Sequence, residues 1–277
     1  MCCKNTNAKE THFGACCSRP DLYGIIIPGK HGKLLATLYT AGGEGPHPTI
    51  LLLHGIPGCE QNLDLAQAFR RAGFHVMTFH YSGSWGSSGN YSLQNDLDDA
   101  ETVLDFILND TTYGFNKDKI YVAGHSLGGF VCGQITARRS EIKGAALLMP
   151  CNIGRIGKIT QNDPENAKVL KDVLNDSVNW LTGLTEDCLY KEAIEHEKEF
   201  ALEYQASALS RKPLLCITGS LDICTPKKEH LQPVLDAIKG FGGTMASTLE
   251  YPTDHFFSDY RLEICDVVTG FFKNLTV

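Results

Sequence analysis

From residue 49 onward, short unbroken apolar runs alternate with amphipathic stretches, and this alternation limits the fold more than any other feature. The runs are Thr49–Leu53, Phe74–His80, Lys119–Ala123, Gly144–Met149, Pro213–Thr218 and Thr248–Tyr251. Runs this short are strands rather than buried helices, and continuous apolarity means that both faces of each strand are covered. Between them lie helical patterns: Asn62–Ala72, with Asn62 as cap and Gly73 as stop, then Leu93–Leu108, Leu127–Arg138, Lys228–Ile238 and Asp259–Phe272. Strand–helix alternation places successive strands parallel, joined by right-handed crossovers. The expected fold class is therefore α/β, with a mostly parallel, doubly wound sheet. Ahead of it, Leu22–Ile27 and Lys33–Tyr39 flank a Pro28-Gly29-Lys30-His31-Gly32 turn and read as an antiparallel hairpin.

One connection is too long for a simple crossover. The stretch Cys151–Arg211 is polar and helix-rich, with Pro164–Leu181 behind a capping Asp163 and then Asp187–Leu209. A structureless loop of that length is improbable, so it reads as a helical cap inserted over one end of the sheet. The expected organisation is a tail at 1–21, a core formed by 22–150 and 212–277, and a cap at 151–211. Such a cap is expected to move as a lid, its substitutions altering specificity more than stability. Trp85 and Trp180 are candidate pocket-lining residues, with Val173, Leu174, Val178 and Leu181 beside Trp180.

Composition removes several function classes. Of the 277 residues, 43% are hydrophobic and 21% charged, which rules out disorder as the main state. The net charge is −7 and no basic cluster exceeds a pair, so a nucleic-acid partner is not expected. No apolar run is long enough to span a membrane. The N-terminus shows no export signal, making cytoplasm the expected location. The 11 cysteines then read mostly as buried thiols, with Cys59, Cys151 and Cys224 as packing thiols near the loops at the strand ends and Cys2-Cys3 and Cys16-Cys17 around His12 in a loose tail. No histidine pair has helical metal-ligand spacing, and neither metal nor cofactor is expected. The glycine-rich Gly83–Gly89 lacks the lysine and flanking elements of a phosphate cradle.

Gly124-His125-Ser126-Leu127-Gly128 is the sharpest chemical signal. It falls where the run KIYVA ends and the helix LGGFVCGQITARR begins. A serine on that turn sits at a helix N-terminus, where developing negative charge is favoured. A hydroxyl is a weak nucleophile and needs a base oriented by an acid. Asp222 stands just past the run PLLCITG, and His255 follows Leu249–Tyr251 in the next strand-to-helix loop. Asp254 is the rival acid. Neighbours in a chain rarely point so that one grips the other's ring, which favours Asp222. A glycine-containing turn, His54-Gly55-Ile56-Pro57-Gly58, follows the first parallel strand. It offers the Ile56 N–H as an oxyanion donor beside that of Leu127, whereas Pro57 has none to give. His54 reads as a structural imidazole under this turn.

Together HGIPG, GHSLGG, the GSLDICTP aspartate and the TDH histidine resemble the α/β-hydrolase superfamily, and residues from about 22 to 275 fit its order of elements. The stretch Leu51–Gly89 is similar to bacterial hydrolases loosely labelled as relatives of dipeptidyl aminopeptidases and acylaminoacyl peptidases. Tyr81-Ser82-Gly83 departs from the Tyr-Arg-Gly that such proteins often carry. The resemblance implies a serine hydrolase with Ser126 as nucleophile, His255 as base and Asp222 as acid, acting on a small-molecule ester or short peptide-like substrate. Ser126 also sets the chain apart from relatives that carry Asp or Cys at this turn, such as haloalkane dehalogenases and dienelactone hydrolases. A carboxylic ester is the first expectation. A small aminopeptidase or amidase is the second, with Glu186, Asp187 or Glu192 as possible clamps for a free ammonium. A non-catalytic hydrolase-fold receptor is the third, and the intact set of residues argues against it.

Overall fold

A computed structural model describes residues 19–243 and 245–276. The paired cysteines of the tail lie outside the described residues. The strands are β1 (Leu22–Pro28), β2 (Lys33–Tyr39), β3 (His47–Leu53), β4 (His75–Phe79), β5 (Phe115–His125), β6 (Ile142–Leu148), β7 (Leu214–Gly219) and β8 (Ala246–Tyr251). The helices are α1 (Leu63–Arg71), α2 (Leu93–Asn109), α3 (Leu127–Arg138), α4 (Ile156–Asn162), α5 (Pro164–Asp176), α6 (Cys188–Glu195), α7 (Glu197–Phe200), α8 (Ala206–Leu209), α9 (Lys227–His230), α10 (Gln232–Gly240) and α11 (Arg261–Asn274). Among the described residues no helix is long and apolar enough to cross a membrane.

The eight strands form one sheet in the order β1-β2-β4-β3-β5-β6-β7-β8. The hairpin β1–β2 joins β4 antiparallel, and every pair from β4–β3 to β7–β8 is parallel. This is the mostly parallel, doubly wound sheet that the alternation predicts, in the arrangement that the motif resemblance implies. Each central strand feeds both faces of the sheet. Leu51 and Leu53 join one buried cluster while Ile50 and Leu52 join the other, and β6 and β7 divide in the same way. The first cluster lies under α2 and α3; the second lies under α1 and α11. β8 is the edge strand, mostly exposed along its length rather than covered on both faces.

The order of strands reverses at β3. Its chain successor β4 lies on one side and β5 on the other. In a doubly wound sheet a crevice opens beyond the strand ends at such a switch point, because the two connections leave in opposite directions.

The insertion between β6 and β7 carries several helices, and Asp163 caps α5 by accepting the Asn166 N–H at 3.0 Å. Its helices are shorter than the pattern suggests. Pro164–Leu181 stops being α-helical at Asp176, and Asp187–Leu209 breaks into α6, α7, a 3-10 turn and α8. Lys228–Ile238 divides into α9 and α10 at Gln232-Pro233, since a proline has no N–H to carry one helix across. The insertion does not pack by its own faces alone. Ile156, Ile159, Leu170, Leu174, Phe200 and Leu202 are continuous with the buried cluster of α3 and β6.

Candidate active site

β3 and β5 are neighbours, with Leu53 opposite Gly124 in the register. The turn after β3 therefore lies beside the turn after β5. A Cβ placed on Gly55 would stand 3.0 Å from the Ser126 Cβ and 3.5 Å from its Oγ. Ser126 itself has φ 58° and ψ −120°, a conformation that L residues avoid unless the surroundings impose it. The surroundings do so. Its N–H donates to the Leu148 carbonyl at 3.0 Å, and its carbonyl accepts from Gly129 and Cys151, both at 2.9 Å. The flanking glycines are required by contact: a side chain on Gly124 would overlap the Gly128 carbonyl, and one on Gly128 would overlap the Leu53 carbonyl. The turn holds Ser126, half-buried, at the N-terminus of α3.

The structure brings His255 and Asp222 together from two loops. His255 Nδ1 lies 2.8 Å from Asp222 Oδ2, and both side chains are buried. Asp222 Oδ1 accepts the N–H groups of Cys224 and Thr225 at 2.7 and 3.0 Å, and Oδ2 also accepts the Thr225 hydroxyl at 2.7 Å. Burial alone would raise the pKa of this carboxyl, but the bonds from His255 and Thr225 hold it below the usual carboxylate value. The carboxylate is thus an anion facing the imidazole Nδ1, which leaves Nε2 as the nitrogen able to take a proton. Ser126 and His255 line one cavity. No hydrogen bond joins the two side chains, and catalytic hydrogen bonds of this kind often tighten only in the complex with substrate. Asp254 is turned away. Its carboxylate accepts from the N–H of Phe256, the N–H of Ser258 and the Ser258 hydroxyl, at 3.0, 3.0 and 2.6 Å.

Ile56 and Leu127 line the same cavity. Among the described residues neither N–H is taken by another acceptor, so both remain available to an incoming oxygen. His54, as expected, is a buried imidazole under the turn, its Nδ1 2.7 Å from the Gly55 carbonyl and its pKa pushed by burial down to about 4.

The cavity measures about 120 Å³. Its apolar wall comes from Ile153, Ile156, Leu170, Val173 and Leu174 of the insertion, facing Ile56 and Phe256. Trp85 and Trp180 do not line it, contrary to expectation. They stack on each other at 6.1 Å and are 41% and 61% exposed. Trp85 Nε1 donates to the Pro57 carbonyl, so this ring braces the turn after β3 from outside. Glu186, Asp187 and Glu192 also lie away from the cavity. Glu192 caps α2 through the N–H groups of Leu93 and Gln94, and Asp187 pairs with Lys171. Cys59, Cys151 and Cys224 do line it. Burial pushes the Cys224 thiol up to about 11; its sulfur lies near Asp222 and His255, whose facing atoms are already bonded to each other and to Thr225.

Two supporting residues are missing from the set read off the sequence. Thr225 braces Asp222, and the His125 Nε2–H donates to the His255 backbone carbonyl at 2.8 Å, tying down the loop that carries His255. His125 acts from 130 residues away and leaves no spacing signature, whereas Thr225 stands only three residues past Asp222 in one loop, a local pairing that the sequence does carry.

The buried histidines set a pH limit on the fold. Burial holds His54 and His75 down to about 4, and His125 and His230 down to about 3. With folded values below the ordinary 6.5, the unfolded chain takes up protons first as pH falls, and stability drops. Each such group removes up to about 1.4 kcal/mol per pH unit below 6.5 until its folded pKa is reached. Asp96 and Asp99 act oppositely, since burial raises their pKa and the folded state takes up their protons first. Burial lowers His80 as well, so five imidazoles against two carboxyls leave a net loss. Tm measured by calorimetry should fall steadily from pH 6.5 to 4, and a flat or rising Tm there would contradict the burial of these rings.

The family model for the alpha/beta hydrolase fold matches residues 48–232. The lysophosphatidylserine lipase ABHD12 of Gallus gallus is 37% identical over 99 residues, which are 34% of this chain and 25% of that protein. The chain thus matches about a quarter of that relative's length. Among solved structures, a Pyrococcus furiosus esterase superposes with a TM-score of 0.68 at 17% identity, covering 92% of this chain and 91% of that one. A puromycin hydrolase gives 0.68 at 17% identity, covering 98% of this chain and 41% of that one. At these identities the structural likeness is one of fold.

Proposed function

The chain belongs to the α/β-hydrolase fold family, and we propose that it is a serine hydrolase cleaving carboxylic esters of short acids through an acyl-enzyme. The observation that carries this reading is the 2.8 Å bond between His255 Nδ1 and Asp222, which leaves Nε2 as the base in a cavity shared with a strained serine turn. His255 takes the Ser126 proton as Oγ attacks the ester carbonyl. The oxyanion sits between the N–H groups of Ile56 and Leu127, at the N-terminus of α3. His255 then protonates the leaving alkoxide, and water enters by the same base to release the acid. Residues 151–211 act as the cap, laying α4 and α5 over the acyl group.

Cavity size supports a short acid. A cavity of ~150 Å³ holds benzene, so about 120 Å³ suits an acyl chain of roughly four to six carbons, its carbonyl oxygen lying outside among the N–H donors. The test is a panel of p-nitrophenyl esters from acetate to decanoate, run beside aminoacyl anilides. Peak kcat/KM at butanoate to hexanoate is expected; a preference for the anilides would replace the ester reading with an amidase one.

Pocket walls should tune that profile. Val173→Ala enlarges the cavity by two methyl groups and should raise the hexanoate-to-acetate ratio of kcat/KM about 10-fold, since a methylene in an apolar site is worth ~1–3 kcal/mol. Trp180→Ala should leave the ratio unchanged, because that ring lies outside the lining. A shifted profile in Trp180→Ala with none in Val173→Ala would move the acyl site to the cavity's rim.

A further inference from the structure

We propose that Asn166, on α5, is a positioning residue that sets Asp222 through two peptide groups of the acid's own loop. This rests on the reading of Asp222 as the triad acid. Asn166 is buried, 5% exposed, and its Nδ2 donates to the carbonyls of Ile223 and Cys224 at 2.9 and 3.2 Å. Those carbonyls belong to the peptide units whose N–H groups, on Cys224 and Thr225, donate to Asp222 Oδ1. Each unit therefore receives a hydrogen bond from Asn166 on one side and passes one to the carboxylate on the other. Hydrogen bonds in series polarise one another, so the amide strengthens the two donors that hold the acid.

The amide's orientation follows from its neighbours. His230 Nδ1 accepts the Asn152 N–H at 3.0 Å, which puts the imidazole proton on Nε2, 3.2 Å from Asn166 Oδ1. With its oxygen accepting from His230, Asn166 turns both amide hydrogens to the two carbonyls. Burial keeps His230 neutral, with a pKa near 3, so this bond persists across the working pH range. Asn152 begins the insertion and in turn donates to Glu203 and to the His230 carbonyl. The chain of bonds runs from the root of the insertion, through His230 and Asn166, to the acid.

Its placement gives it a function beyond packing. Asn166 sits in the first turn of α5, and Leu170, Val173 and Leu174 of the same helix wall the acyl cavity. Offsets of four, seven and eight residues keep all of them on one helix face. A single helix thus covers the acyl group and holds the acid's loop, so Asp222 is in register only when the cap is seated.

Asn166→Asp separates this role from folding. It keeps the shape and the acceptor for His230, and a carboxyl buried against two carbonyls takes a proton rather than a charge, so at most one of the two donated bonds survives. With the native fold checked by circular dichroism, kcat for p-nitrophenyl butanoate should fall about 10-fold or more, as for lost supports of other reactive groups, with KM little changed. Added to Asp222→Asn, the substitution should cost almost nothing further, because both act on one element. Should Asn166→Asp not fold, Asn166→Ser, too short to reach the carbonyls, is expected to behave the same way. Losses that add in the double variant, or an unchanged kcat where Asp222→Asn alone is impaired, would overturn the coupling. An unimpaired Asp222→Asn would instead overturn the triad reading beneath it.

Discussion

Ser126→Ala should lower kcat on p-nitrophenyl butanoate by on the order of 10⁴-fold or more, with the fold intact. No neighbouring group can replace the lost oxygen. Cys151 and Cys224 share the cavity, but burial raises both thiol pKa values, so neither supplies a thiolate. The residual rate would come from the oxyanion donors and substrate binding, which outlast the nucleophile in comparable triads. Alanine also suits the turn sterically, since its Cβ already exists in serine; only the positive φ remains strained. The direct check is a fluorophosphonate followed by peptide mapping. A phosphonyl group on Ser126 alone is the expected result, and one on any other serine would remove the assignment.

The second large effect belongs to the acid. In Asp222→Asn the new amide has little choice of orientation. The N–H groups of Cys224 and Thr225 both donate to the Oδ1 position, which requires an oxygen there and turns the amide nitrogen toward His255 Nδ1. That nitrogen donates, so the ring must carry its proton on Nε2, the wrong tautomer for a base. A loss of about 10⁴-fold in kcat is expected by analogy with the same change in other triads. Asp254→Asn should stay within a few-fold of the parent, because Asp254 accepts only from its own loop, through Phe256 and Ser258. Equal losses in the two variants would mean that the acid is misassigned.

What could be read from the chain and what could not differ in physical kind. The strand–helix alternation and the GxSxG turn are local: apolar periodicity and steric demand at Gly124 and Gly128 leave their mark in the letters themselves. Asp222 and His255 were reachable because each follows a strand, and strand ends converge on the switch point. The misplaced tryptophans show the limit. Trp85 and Trp180 are large and aromatic, which suggests a pocket wall, but their exposure is decided by where the 177–182 segment meets the loop after β4. Backbone bonds from Thr182 to Gly83 and from Tyr91 to Thr182 fix that meeting, and no spacing encodes it. The brace formed by Asn166 and His230 is hidden for the same reason, its members lying far apart in the chain.

The continuity between insertion and core has a consequence for how such a chain can diversify. Leu170 and Leu174 wall the cavity and also belong to the main buried cluster, 6% and 4% exposed. Cutting either to alanine would widen the cavity but cost ~2–5 kcal/mol, against a total stability of ~5–15 kcal/mol for a natural domain. Drift in acyl preference and drift in stability are therefore one trajectory at these positions, and two such steps would bring the chain to its threshold. Val173 stands on the same wall but only half-buried and outside that cluster. Selection for a new acyl chain has its open route there, where the wall can change without thinning the core behind it.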